Sequence, residues 1–66
     1  MKAMLSEIIE EENKLITIDG RMFIIDPSEE DIYCTWIPTA NLEIDIDKGI
    51  ITNLENDSII DILMSI

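Results

Sequence analysis

The stretch Asn41-Leu42-Glu43-Ile44-Asp45-Ile46-Asp47-Lys48-Gly49-Ile50-Ile51-Thr52-Asn53-Leu54 decides how the rest of the chain is read. Its first half alternates, with Leu42, Ile44 and Ile46 on one side and Glu43, Asp45 and Asp47 on the other. Side chains along a strand point to opposite faces in turn, so this pattern predicts a half-buried strand with an acidic outer row. Asp47-Lys48-Gly49 then turns the chain, Gly49 taking the left-handed conformation of a three-residue hairpin loop, and Ile50–Leu54 returns as a second strand.

A second hairpin is expected over Lys14–Ile25. Asp19-Gly20 is a favoured pair for a two-residue turn with positive φ at both central positions. That turn sets Ile16 against Phe23 and Leu15 against Ile24. It places Ile16, Ile18, Phe23 and Ile25 on one face and Leu15, Met22 and Ile24 on the other. A hairpin apolar on both sides needs cover on both sides, from a core and from a helix or a second subunit.

The segments around these hairpins read as follows. Met4, Leu5, Ile8 and Ile9 recur at helical spacing and predict a short helix over residues 3–12, with Glu10-Glu11-Glu12 at an end where the helix dipole disfavours negative charge. Asp26-Pro27-Ser28-Glu29-Glu30-Asp31 reads as an acidic loop whose Pro-Ser-Glu-Glu is also able to open one helical turn. Ile32–Ile37 alternates and predicts a third single strand ended by Pro38, with Cys34 as a small core residue and Trp36 as the largest burial candidate. Ser58 with Asp61 three residues on resembles a weak capping box and favours a terminal helix over 58–66; a strand with Ile60, Ile62, Met64 and Ile66 on one face is the alternative.

The expected fold is therefore a β-rich α+β domain over residues 1–66. It is a small, strongly bent five-stranded antiparallel sheet or SH3-like barrel, with a short N-terminal helix and, on the helical reading of 58–66, a C-terminal helix. At 66 residues, with one cysteine and no histidine, the chain has no internal disulfide and no zinc cluster to staple it. Stability must come from apolar burial, and 47% of residues are apolar, sixteen of them isoleucine and none valine. No apolar run approaches the roughly 20 residues of a membrane helix, and no secretory leader pattern is visible. Together with a lone free cysteine, this gives a cytoplasmic expectation.

Charge carries the functional argument. Fifteen carboxylates against four basic residues give a net charge of −11. Such a chain repels nucleic acid and anionic membranes and attracts basic surfaces. Coding bias toward isoleucine should also raise lysine, yet only Lys2, Lys14 and Lys48 occur. Solubility alone asks for less charge in a domain of this size.

Several chemistries are excluded. Without histidine the common nucleophile–base triads cannot form, and Gly20 and Gly49 are consumed by turns, which leaves no phosphate-cradling loop. A calcium loop starting at Glu43 requires glycine and glutamate where Lys48 and Leu54 stand, so no metal or cofactor is expected. A glycosidase pair needs a cleft that so short a chain has little volume to build. No catalytic residue is expected.

The leading expectation is a small acidic, non-enzymatic protein that docks on a basic, nucleic-acid-binding protein and inhibits or regulates it. In size and charge it is comparable to the nucleic-acid mimics of phages. Alternate carboxylates on a strand lie roughly 6.5–7 Å apart, of the same order as neighbouring phosphates. The candidate acidic contacts are Glu43, Asp45 and Asp47, extended by Asp26, Glu29, Glu30 and Asp31 or by Glu10, Glu11 and Glu12. The alternative is a homo-oligomeric structural or adaptor module, such as a homodimer, using an apolar interface through Leu15, Met22, Ile24, Tyr33 and Ile37.

Overall fold

Two long strands, each bent at a bulge and each shared between two sheets, organise the molecule. A computed structural model describes residues 1–66 as β1 (Lys2–Ile9), β2 (Lys14–Thr17), β3 (Met22–Ile25), a four-residue helix α1 (Glu30–Tyr33), β4 (Asn41–Asp45), β5 (Ile50–Asn53) and β6 (Ser58–Ser65). Short 3₁₀ turns, Glu10–Glu12 and Pro27–Glu29, follow β1 and β3. The six strands close into an antiparallel barrel in the order β1-β2-β3-β6-β5-β4. No helix is long and apolar enough to cross a membrane.

Strand β1 pairs with β4 through Lys2–Met4 and with β2 from Leu5 onward. Strand β6 pairs with β5 through Ser58–Asp61 and with β3 from Ile62 onward. At each changeover one residue is extra: Ser6 lies between the pairs Leu5–Thr17 and Glu7–Ile16, and Leu63 lies between Ile62–Ile25 and Met64–Ile24. A bulge bends its strand and increases local twist, which is what a short sheet needs to turn a corner and close.

The β1 bulge also explains why residues 3–12 form a strand and not the expected helix. An extra residue at position 6 shifts the inward phase from Leu5 to Ile8, and a three-residue gap between apolar positions imitates helical spacing. Glu10–Glu12 is then a 3₁₀ turn stopped by Asn13 at φ 52°. Residues 58–65 take the alternative strand reading as β6, not the helix, and the bulge at Leu63 moves Met64 and Ile66 off the face that holds Ile60 and Ile62. Strands therefore number six, not five.

Residues 32–37 are not a strand. Asp26 caps a turn by accepting the Ser28 N–H at 2.9 Å, Pro27 occupies the first turn position, and α1 follows. Tyr33 and Trp36, three apart, both reach the interior, while Cys34 points to solvent. Cys34 is thus no core residue. Trp36 donates from Nε1 to Ser58 Oγ at 2.8 Å, and the Tyr33 hydroxyl donates to Asn13 Oδ1 at 3.2 Å. Both large rings are buried with their polar ends bonded.

The β2–β3 hairpin forms one residue out of the expected register. Leu15 faces Phe23 and Ile16 faces Met22, around a three-residue loop Ile18-Asp19-Gly20. Asp19 does not take positive φ, which the two-residue turn required; only Gly20 does, at φ 90°. The Gly20 N–H donates to the Thr17 carbonyl, and the Thr17 hydroxyl donates to the Asp19 carboxylate. A one-residue slip exchanges the faces of a strand, so Leu15 and Thr17 point inward and Ile16 and Ile18 outward.

Strands β4 and β5 pair as the alternation predicts, with Leu42, Ile44 and Ile51 buried. Asp45 pairs with Ile50, so the loop has four residues, Ile46–Gly49, rather than three. The Gly49 N–H donates to the Asp45 carbonyl and Gly49 sits at φ 68°. Ile46 therefore leaves the strand and is 51% exposed instead of inward. The interior holds Leu5, Leu15, Phe23, Ile25, Tyr33, Trp36, Ala40, Leu42, Ile44, Ile51 and Ile60.

Truncating Ile44 to alanine should cost about 2–5 kcal/mol in denaturant unfolding, while Ile46→Ala should stay within about 0.5 kcal/mol. Equal losses at the two positions would show that the inward row continues through residue 46.

Candidate functional site: an acidic surface on β4, β6 and a capped turn

Directly paired residues in an antiparallel sheet share a face. Asp45 on β4, Ile50 on β5 and Asp61 on β6 are paired in sequence, with the buried residues Ile44, Ile51 and Ile60 beside them. Asp45 and Asp61 thus stand on the outer surface, two strand spacings or roughly 9–10 Å apart. Beside Asp61, the carboxylates of Asp26 and Glu29 complete a trio whose oxygens lie within 4.8 Å of one another.

Backbone donors hold this trio in place. The Asp61 N–H donates to Glu29 Oε1 at 2.6 Å, and the Asp26 N–H donates to the Asp61 carbonyl at 3.1 Å. Asp26 Oδ1 accepts from both the N–H and the hydroxyl of Ser28, at 2.9 and 2.8 Å. Those two bonds from Ser28 hold the Asp26 carboxyl below the usual carboxylate range, the backbone bond contributing most. A cation here would share Asp26 and Glu29 with protein donors, and only the remaining oxygens are free for it.

Glu30 and Asp31 continue the band on α1, and Glu10 approaches from the turn after β1. Tyr33 marks their convergence. Burial is the main cause that raises its hydroxyl above the ordinary value of 10.0, followed by the negative charges of Glu30 and Glu10, with Asp26 adding a smaller push. Glu11 lies in the same turn as Glu10, and Glu12 pairs with Lys14 at 2.9 Å.

The expected row Glu43-Asp45-Asp47 is only partly a strand row. Glu43 and Asp45 lie on β4, whereas Asp47 is exposed in the loop. Glu43 is in register with Lys2 and takes the Met1 ammonium at 2.8 Å. Asp45 Oδ1 accepts the Lys48 N–H at 3.0 Å and so stiffens the turn. These three carboxylates, with Met1, Ile44 and Ile46, line an open depression of about 480 Å³. Across the molecule only three carboxylates are in ion pairs, those of Glu43, Glu12 and Asp19.

Asp61 is the member that sequence reasoning missed. A helix assignment made it a capping residue; the alternation Ile60-Asp61-Ile62 was the available signal. Among the apolar candidates, Leu15 and Tyr33 are fully buried and cannot meet a partner. Met22 and Ile24 lie on the outer face of β3, and Ile37 is 70% exposed on the loop after α1.

No protein-family model matches this chain, and no curated protein or solved structure does.

Replacing Tyr33 by phenylalanine removes the bond to Asn13 and should cost about 1 kcal/mol near neutral pH. The variant should also lose part of the alkaline sensitivity. A folded-state pKa above the unfolded one contributes stability that is present below pH 10 and is lost as pH rises through the folded value. Denaturant titrations of both proteins from neutral pH to above pH 10 test this; an unchanged alkaline limb in the variant would contradict it.

Proposed function

We propose that this chain is a small, non-enzymatic binding protein whose acidic band docks on a basic, nucleic-acid-binding protein and blocks or regulates it. The observation that supports this is the clustering of carboxylates on one side of the barrel: Asp61 on β6 meets Asp26 and Glu29 of the capped turn, and Asp45 on β4 stands across Ile50 of β5, with no ion pair among the four. Their carriers are strand residues and a hydrogen-bonded turn, so little backbone ordering remains to be done on binding. Opposed charges of this kind mainly speed encounter and select the partner, and they do so most at low salt. The barrel is of a kind compatible with SH3-like domains, and the surface, not the fold, carries the functional argument. The location consistent with this role is cytoplasmic. Neither nucleic acid nor an anionic membrane suits a surface of this sign.

A pull-down from the producing cell's lysate at about 0.05 and about 0.5 M salt tests the proposal, since raising salt shortens the reach of charge several-fold. The wild type is compared with a variant carrying Glu29→Gln, Asp45→Asn and Asp61→Asn. Basic partners should be retained only by the wild type and only at low salt. Recovery of the same partners by both proteins, at both salt concentrations, would overturn it.

A further inference from the structure

One face of the barrel carries no carboxylate. The outward residues of β2 and β3 are Lys14, Ile16, Met22 and Ile24, and the adjoining end of β6 contributes Leu63, Met64 and Ile66, whereas Ile62, in register with buried Ile25, packs against the core; 15 of the chain's 66 residues are acidic. Ile16 lies opposite Met22, Ile24 lies opposite Met64, and the Ile66 N–H donates to the Met22 carbonyl at 2.9 Å, so the apolar side chains are contiguous. Leu63, Met64 and Ile66 are 59%, 60% and 64% exposed. Leu63 is pushed outward with Met64 because it is the bulge residue. The nearest acids on the flanks, Glu12 and Asp19, are paired with Lys14 and Arg21; Glu7, opposite Ile16 on β1, marks the border.

We propose that this strip is the docking face for a second copy of the chain, packed back to back about a twofold axis near the Ile24–Met64 pair. Charge selects the occupant. Each copy carries −11, and approach from the side of the band sets carboxylates against carboxylates. Strip against strip brings two copies together without that opposition, and it leaves both acidic bands facing outward. A basic partner is drawn to the band instead, because the strip offers it no free anion. The closed barrel has no strand edge to extend, so association must use faces. Met22 and Met64 are unbranched and adapt to a convex, self-complementary contact. A specific interface needs about 500 Å² from each partner, roughly an eighth of the 4019 Å² surface, and a contact near that minimum gives a weak dimer. The docking of a basic partner is independent of this contact.

Sedimentation equilibrium from about 10 µM to about 1 mM covers the range of such a dimer. The mass should rise with concentration from the 7.6 kDa of one chain toward twice that value. Association should tighten severalfold as salt screens the repulsion between copies, the reverse of the salt effect expected for a basic partner. Met64→Lys should weaken it at least tenfold, although the new charge lowers the net repulsion, and should leave the thermal midpoint nearly unchanged. Leu63→Lys should act alike. A single monomeric species over the whole range at both salts would overturn the proposal. So would self-association that neither lysine variant disturbs, or a strip-dependent complex with another protein without self-association.

Discussion

The structure depends on closure at two seams, β1 against β4 and β3 against β6. Both seams use a strand that bends at a bulge and serves two sheets, so the hydrogen-bonding ring is complete with only six short strands. Closure encloses an interior wide enough for Phe23, Tyr33 and Trp36 and leaves no buried side-chain polar atom without a partner. It also removes the unpaired strand edges that a small isoleucine-rich sheet would otherwise present. Any partner must then be met by side chains on outer faces.

Those faces are unequal. Carboxylates occupy the outward positions of β4 and β6 around Asp45 and Asp61 and the caps that follow β1 and β3. Apolar residues occupy the outer surface of β2, β3 and the end of β6. Packing like charge into one region destabilises the folded state through self-repulsion. Some of that cost is offset where the carboxylates accept backbone N–H bonds, as Asp26, Glu29 and Asp45 do. The same bonds restrict how the charges move, which is what turns a charge excess into a shaped surface.

The β4–β5 hairpin was legible because both strands alternate without interruption and Gly49 marks the turn. The helix-like spacing in residues 3–12 was misleading for a specific reason: a bulge at Ser6 inserts one residue into a period-two pattern. Leu63 did the same to β6 and concealed Asp61. For the β2–β3 hairpin the turn residues were correct but the loop length was not, since the hydroxyl of Thr17 and the negative φ of Asp19 favour three loop residues over two. Tyr33 and Trp36 fit a strand pattern in the sequence because a turn and a half of helix is too short to show its period. Bulges and loop lengths are set by pairings distant in sequence, which local pattern does not contain.

The most direct test of the account is the pattern of backbone proximities at the two seams, measured by nuclear Overhauser effects in solution. Closure predicts cross-strand contacts between Ala3 and Leu42 and between Ile24 and Met64, with extended backbone through residues 2–9. Helical contacts between residues three and four apart in that segment, or the absence of contacts at either seam, would contradict the barrel and with it the fixed separation of acidic and apolar faces.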